Sequence, residues 1–247
     1  MRLLQRYILI GSCAACLFLA GCSQQAPIEK VSRQEIHRLD YVYYIPDAEI
    51  PIMEVQALNG SPEAAERLLF FYFNWNFDRI QGRYWEEIAA ENGASVSQDI
   101  LAHELRMDFT EPRSRERYSF WLEKPSANGH GKLTKAECNL FEASSEDQLH
   151  ALSDADIEKL QQQALIGAPE PALRLHFFYD RIRQDPNESR FWARISAQNG
   201  DPVGQCTFGV ILNREPDPKS RLRAKFWLKR AAESGNLHAL KLLMHLQ

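Results

Sequence analysis

"FWLKRAAESGN", residues 226–236, contains an aromatic–tryptophan pair whose tryptophan lies eight residues before a glycine. The same spacing recurs in three other stretches, "YWEEIAAENG" (84–93), "FWLEKPSANG" (120–129) and "FWARISAQNG" (191–200). The four tryptophans are separated by 36, 71 and 35 residues, so one copy of a period near 35 has lost its tryptophan. A fixed period of this length is typical of a helical repeat array.

The glycines of this pattern extend beyond the four tryptophans. Gly60 and Gly167 fit the series, with Ile52 and Lys159 at the positions eight residues earlier. The stretches that begin at these two glycines, "GSPEAAERLLFFYF" and "GAPEPALRLHFFYD", match in phase. They are therefore one element, copied three periods apart.

Each unit is predicted to be a helical hairpin. The repeated glycine suits the left-handed position that ends a helix. Ser61-Pro62 and Asp201-Pro202 supply an N-cap and a first-turn proline for the helix that follows. A second turn precedes the tryptophan-bearing helices, and it is marked by Glu111-Pro112, Asp185-Pro186 and Asp217-Pro218.

The predicted fold class is therefore all-α, a solenoid of about five to six stacked antiparallel helical hairpins over residues 47–247. Trp192 shares a helix face with Ser196 and Ala197, so a neighbouring helix can approach closely. This arrangement favours buried packing over a ligand cage for the tryptophans. The predicted structural positions of the repeat are Trp85, Gly93, Trp121, Gly129, Trp192, Gly200, Trp227 and Gly235.

Two stretches, "KFWLKRAAESGNLHALKLL" and "RFWARISAQNGDPVGQCTFGVIL", resemble Sel1-like repeats, which are relatives of tetratricopeptide repeats. The resemblance rests on an aromatic–tryptophan pair, then small residues, then glycine. It implies a protein-binding solenoid. Most copies depart from the family in lacking a glycine inside the first helix, with Gly209 the exception.

The first 21 residues are predicted to be a signal peptide. Arg2 and Arg6 precede an apolar run over residues 7–19, which is typical of a secretory signal. The run is shorter than the roughly 20 residues that a membrane-spanning helix needs.

The stretch Leu19-Ala20-Gly21-Cys22 resembles a bacterial lipobox. The resemblance implies cleavage before Cys22 and lipid on that residue. Ser23 next to it suggests delivery to the outer membrane, with the protein facing the periplasm. Residues 22–46 are then a tether and an N-terminal segment.

Two cysteines, Cys138 and Cys206, remain after the signal and the lipidated residue are set aside. They follow Gly129 and Gly200, which places them two units apart. Packed helices lie roughly 8–10 Å apart, and a disulfide needs Cα atoms within about 7 Å. We therefore expect two free, buried thiols.

Two stretches are candidates for partner binding. "LFFYFNWNFD", 69–78, places Trp75 and Phe77 where a turn should begin, so they form either an exposed anchor or a contact with the N-terminal "LDYVYYIPDAEI" (39–50). The second, residues 139–159, is either a solvated loop and helix start or an acidic surface for a basic partner. Its acidic residues are Glu142, Glu146, Asp147, Asp154, Asp156 and Glu158.

Charge and motifs argue against several classes of function. Loss of Arg2 and Arg6 with the signal would take the formal charge from −4 to −6, which disfavours a nucleic-acid partner. His103-Glu104 lacks the second histidine of a zinc protease, and no Gly-x-Ser-x-Gly or phosphate-binding loop occurs. We expect no enzyme activity, metal or cofactor.

The Sel1-like resemblance and the lipobox together imply two roles. One is a lipid-anchored immunity protein that binds and neutralises an antibacterial phospholipase delivered by type VI secretion. The other is an adaptor that organises cell-envelope assembly or signalling proteins. In both, the partner is a protein and the only membrane contact is through the lipid.

Overall fold

The fold is built of α-helices joined by short turns. A computed structural model describes residues 43–107, 112–123 and 149–246, and these residues contain no β-strand. The helices are α1 (Ile50–Leu58), α2 (Pro62–Phe70), α3 (Arg79–Asn92), α4 (Ser95–Met107), α5 (Pro112–Glu123), α6 (Asp154–Leu165), α7 (Pro169–Phe177), α8 (Pro186–Gln198), α9 (Pro202–Asn213), α10 (Pro218–Glu233) and α11 (Leu237–His245). The all-α prediction is confirmed. None of the helices in the described ranges is both long and apolar enough to cross a bilayer.

The repeated glycines end helices in the left-handed conformation, as predicted. Five of them have φ between 94° and 117°, namely Gly60, Gly93, Gly167, Gly200 and Gly235. Gly129 lies outside the described residues. Because side chains with a Cβ rarely adopt this φ, glycine at these positions fixes where each helix stops.

The predicted N-caps are also confirmed. The side chains of Ser61 and Asp201 accept hydrogen bonds from the first backbone N–H groups of α2 and α9. Asp185 and Asp217 do the same for α8 and α10, each with a proline at the first helical position. Polar caps of this kind satisfy N–H groups that have no partner inside the helix.

Helices adjacent in sequence pack against each other throughout the described residues. The predicted tryptophan-bearing helices α3, α5, α8 and α10 pair with α2, α4, α7 and α9 respectively. All four repeat tryptophans are buried, with at most 3% of their surface exposed: Trp85, Trp121, Trp192 and Trp227. Each is a packing residue of the core, as the sequence predicted.

Two π-helical segments were not predicted from the sequence. Residues Phe71–Trp75 continue α2 and residues Phe178–Arg183 continue α7, both with wider hydrogen bonding than an α-helix. Each is followed within two residues by a residue with left-handed φ, Phe77 at 56° and Gln184 at 54°. The two segments occupy equivalent positions, 107 residues apart, so the internal duplication extends to an irregular feature of the backbone.

The duplication covers ten of the helices. Helices α1–α5 form a first copy and α6–α10 form a second copy, and equivalent residues in α1–α4 and α6–α9 are 107 residues apart. Helix α5 contacts the start of the second copy, since a Cβ at Gly167 would lie 3.0 Å from the ring of Phe120. Helix α10 contacts the start of the first copy in the same manner, since a Cβ at Gly60 would lie 2.8 Å from Phe226. The last helix of the second copy therefore packs against the first helix of the first copy.

The thiol of Cys206 is free and 5% exposed. Burial raises its pKa to about 11, so the reactive thiolate form is disfavoured at neutral pH. Cys138 lies outside the described residues, as do Cys22 and the predicted signal and lipobox.

Candidate functional site

A buried polar network joins the two copies, and Glu91 near the end of α3 lies at its centre. Arg223 of α10 donates to Glu91 Oε2 at 2.8 Å, and Arg194 of α8 donates to Glu91 Oε1 at 2.8 Å. Gln198 donates to the same Oε1 at 2.7 Å. Arg230 donates to the backbone carbonyl oxygen of Glu91 at 3.0 Å. Three helices are thus held together by one residue.

The contact between α10 and α3 is repeated between α5 and α8. Arg223 donates to Asn92 Oδ1 at 2.7 Å as well as to Glu91. Arg117 of α5 donates to Asn199 Oδ1 at 2.7 Å and to Gln198 Oε1 at 2.9 Å. Each guanidinium also lies over an aromatic ring, Arg223 at 3.8 Å from Phe226 and Arg117 at 3.4 Å from Phe120.

Each asparagine of the network also binds the helix turn that precedes its hairpin. Asn92 donates to the carbonyl oxygens of Ala57 and Ser61 at 2.8 and 3.1 Å. Asn199 donates to Ala164 and Ala168 at 2.8 and 2.9 Å. The network therefore has an internal two-fold repetition. The copies differ at two of its positions, because Glu91 corresponds to Gln198 and Glu87, which also binds Arg194, corresponds to Arg194 itself.

The charges of this network determine the pKa values of Glu91 and Arg117. Burial by itself would raise the pKa of Glu91, but Arg194 and Arg223 outweigh it and lower that pKa to about 2. Arg117 has only neutral hydrogen-bond partners in the network, and burial together with Arg194 lowers its pKa well below the usual arginine value. Glu91 is therefore ionised at neutral pH and balances the surrounding arginines. The arrangement holds α3, α8 and α10 together.

Sequence reasoning missed this network, although two signals for it exist. An asparagine precedes the glycine in "AAENG" and "SAQNG", which contain Asn92 and Asn199. The spacing Arg-x-x-Phe-Trp occurs twice, beginning at Arg117 and at Arg223. The arginine spacing recurs once per copy, whereas Asn-Gly also occurs at Asn59-Gly60 and Asn128-Gly129, so the arginine spacing is the more specific signal.

The predicted aromatic anchor is at the surface. Trp75 is 42% exposed and Phe77 is 64% exposed. The ring of Tyr44, in the N-terminal segment, contacts Trp75 edge-on at a centroid distance of 5.0 Å. Trp75 therefore contacts the N-terminal segment through Tyr44, and 42% of its surface stays exposed.

The predicted acidic surface is only partly described. Asp154 and Glu158 are exposed, and Asp156 forms a capping box with Ser153 at the start of α6. That is the helix start expected in the solvated-loop alternative. An open cleft of about 610 Å³ lies between α6 and α7, and its lining includes Asp156, Lys159 and Arg174. The remaining predicted residues, Glu142, Glu146 and Asp147, lie outside the described residues.

A histidine–serine pair lies in the core of the second copy. His176 Nδ1 is 3.0 Å from both the hydroxyl and the carbonyl oxygen of Ser189. The two residues are 5% and 4% exposed, and burial lowers the pKa of His176. The pair stabilises the contact between α7 and α8 and is closed to substrate in this arrangement.

Glu86 is a buried carboxylate of a different kind. It is fully buried in α3, and neither of its oxygens has a hydrogen-bond partner. Burial raises its pKa to about 7, Arg83 opposes this shift, and Glu87 adds to it. The equivalent residue of the second copy is Ala193, which is also fully buried. The fold therefore does not require an acid at this position.

A Glu86→Gln variant should be more stable than the wild type at pH 8 by about 2 kcal/mol. The carboxyl titrates near 4.5 in the unfolded chain and near 7 in the folded one. The raised pKa therefore contributes to the free energy of unfolding. This contribution is fully present below pH 4.5 and is lost as pH rises through 7. Urea unfolding at pH 4.5, 6 and 8 measures the difference, with the exposed Glu158→Gln as control. A pH-independent difference between variant and wild type would contradict the assignment.

No match emerges when the chain is compared with protein-family models, curated proteins and solved structures. Within residues 43–107, 112–123 and 149–246, no group of three histidine, cysteine or acidic side chains is arranged to hold a metal ion.

Proposed function

We propose that this protein is a lipid-anchored, protein-binding solenoid of Sel1-like hairpins that faces the periplasm from the outer membrane. Its partner in this proposal is an antibacterial phospholipase delivered by type VI secretion, which it binds and neutralises as an immunity protein. The lipobox at Cys22 and the Sel1-like resemblance support the location and the class of protein.

One observation carries the protein-binding part of the proposal. The chain has five tryptophans, and four of them are buried in the repeat core while Trp75 is 42% exposed beside Phe77. Tryptophan and other large aromatic residues contribute disproportionately to binding energy at protein interfaces. The paired histidine and the central glutamate, in contrast, are held in structural contacts.

The proposal is tested with the mature chain immobilised and exposed to the periplasmic and secreted fractions of the producing organism, at low and high salt. We expect mass spectrometry to identify a phospholipase whose activity falls to background when an equimolar amount of the purified chain is added. Deletion of the gene alone should harm the cell only while the gene for that phospholipase is present.

The adaptor alternative predicts a different result. Envelope-assembly or signalling proteins would be captured, no toxin activity would be inhibited, and deletion would damage the envelope in every background. That outcome would contradict the immunity proposal.

A further inference from the structure

The described helices begin and end with an incomplete hairpin. In each complete hairpin, a leading helix follows one repeated glycine and a closing helix ends at the next. The first described helix, α1, ends at Gly60 and is therefore a closing helix without a described leading helix. The last described helix, α11, follows Gly235 and is a leading helix without a described closing helix. Each of them has a face that a complete hairpin would cover.

The complete hairpins show where the two helices meet. The tryptophan of the closing helix packs with the residue eight positions after the glycine of the leading helix, as Trp227 does with Phe208 at a ring-centroid distance of 5.8 Å. The next residue of the leading helix faces the same neighbour, since a Cβ at Gly209 would lie 2.8 Å from Leu228 Cγ. The other pairs that share a core in this way are Leu68 with Trp85, Leu101 with Trp121, and Leu175 with Trp192.

The open face of α11 is apolar. Leu240 and Met244 lie five and nine residues after Gly235, and they are 48% and 60% exposed. The ends of a repeat array normally show a polar face, which keeps the protein soluble. Large apolar residues at this end therefore call for a partner. The residues at the same positions of the complete hairpins are all buried: Ala65, Leu69, Gln98, Ala102, Ala172, His176, Gln205 and Gly209.

The open face of α1 is apolar as well. Ile52 occupies the tryptophan position and is 59% exposed, whereas the four repeat tryptophans are buried. Val55 is 46% exposed, and the residues at its position in α3 and α8, Ile88 and Ile195, are each 5% exposed. The face that a leading helix would cover is thus open on α1.

The core holds both helices in place. Helix α1 packs mainly against α2, α3 and α10, and its Ala57 and Leu58 are buried. Helix α11 packs mainly against α10, and its Ala239 is fully buried. The apolar residues of both open faces remain exposed in this arrangement, so one chain does not close them on each other. A second copy can cover them without any change in the fold.

The charges beside the two faces are complementary. Residues 43–58, which include α1, contain acidic residues and no basic one, and Asp47 and Glu49 are exposed. Helix α11 contains an exposed Lys241 and no acidic residue. Because the helices of a hairpin are antiparallel, the end of α11 would lie beside the start of α1, where opposite charges attract. Two α11 helices, or two α1 helices, would instead bring like charges together.

We propose that a second copy of this chain covers both faces. Helix α11 of one copy packs against α1 of the other as the two helices of a hairpin, with Leu240 and Met244 against Ile52 and Val55. A two-fold axis makes the pair form this contact twice, so both open faces of both copies are buried. The inference does not depend on the immunity proposal, since it involves the chain alone.

The second copy of the internal duplication supplies a variant of α1. The residues of α6 that correspond to Ile52 and Val55 are Lys159 and Gln162, which are both exposed. The double change Ile52→Lys, Val55→Gln therefore gives α1 a polar face that the fold already carries elsewhere. The single change Ile52→Lys serves if the double variant unfolds.

A second variant changes α11, and a third is the control. Leu240→Gln with Met244→Gln makes the open face of α11 polar, and glutamine keeps a good helix propensity. The control is Ile80→Asn with Ile166→Asn, which removes two apolar side chains that are 82% and 62% exposed elsewhere on the protein. Each of these two changes introduces the asparagine that the other copy has at the equivalent position.

The experiment is sedimentation velocity of the mature chain without its lipid, over a series of concentrations, with circular dichroism to confirm that each variant is folded. We expect wild type and control to form the same dimer. The α1 variant and the α11 variant should each raise the dissociation constant at least about tenfold. An equimolar mixture of these two variants should associate more tightly than either alone, because a mixed dimer keeps one of the two contacts intact.

Three outcomes would overturn the inference: a wild type that stays monomeric up to about 100 μM, a dimer that only one of the two variants weakens, and a mixture that associates no better than its components. If a monomeric chain inhibits a phospholipase, the dimer is wrong and the immunity proposal stands. If the dimer forms as described and no toxin is inhibited, the reverse holds.

Discussion

A Glu91→Gln variant should be destabilised by about 3–5 kcal/mol at pH 7, the usual loss when one partner of a buried ion pair is removed. The substitution preserves the size of the side chain and removes the negative charge that Arg194 and Arg223 share. Arg223 would lose its counter-ion and Arg194 would keep only Glu87. The amide would also replace one of the two acceptor oxygens with an NH₂ donor. Urea unfolding followed by circular dichroism measures the loss.

The pH dependence of this effect distinguishes it from a general packing defect. The pKa of Glu91 is lowered from 4.5 to about 2. Its contribution to stability is therefore present above pH 4.5 and is lost as pH falls towards 2. The gap between wild type and Glu91→Gln should narrow over that range. Glu87→Gln, which removes a more exposed partner of Arg194, should cost less than about 1 kcal/mol at pH 7.

The duplication allows a stricter test of the same point. The double variant Glu91→Gln, Gln198→Glu moves the carboxylate to the equivalent position of the second copy, next to Arg117. A hydrogen bond between positions 91 and 198 remains possible with donor and acceptor exchanged. We expect the double variant to recover about 1–2 kcal/mol of the loss, as coupled neighbours do. Additive losses would show that the two positions act independently.

The hairpins could be predicted from the sequence because their signals are local. Gly60 and Gly167 end helices, Asp185-Pro186 begins one, and each tryptophan lies two turns before a glycine. These signals act over a few residues, so they survive in a single sequence. The π-helical segments could not be predicted, because "FFYFNW" and "FFYDRI" also fit an ordinary α-helix and the wider hydrogen bonds are set by the turn that follows.

The contacts between hairpins are harder to predict from the sequence. Arg223 binds Asn92 across 131 residues and Arg117 binds Asn199 across 82. No local pattern in the sequence requires these pairs. Because arginines are mostly exposed in folded proteins, an arginine in a helix is ordinarily predicted to lie at the surface. The exposed turn was predicted in part: Trp75 and Phe77 were singled out from their aromatic density.

The five tryptophans divide into two groups whose removal is expected to cost very different amounts of stability. Trp192 is fully buried, packs in the core of the second copy and donates from Nε1 to Glu188 at 3.0 Å. Trp75 contacts Tyr44 and is 42% exposed. Removal of the first ring leaves a cavity, whereas removal of the second exposes little new surface. The comparison separates a core role from a surface role within one protein.

Trp192→Ala should therefore destabilise the protein by about 3–5 kcal/mol, the loss typical of a large buried aromatic residue. Trp75→Ala should cost less than about 1 kcal/mol, since surface substitutions have small effects on stability. Both are measured by urea unfolding under identical conditions. Trp192→Phe, which fills part of the cavity, should lie between wild type and Trp192→Ala. Equal losses at positions 75 and 192 would mean that Trp75 is a core residue, which would contradict its assignment to the surface.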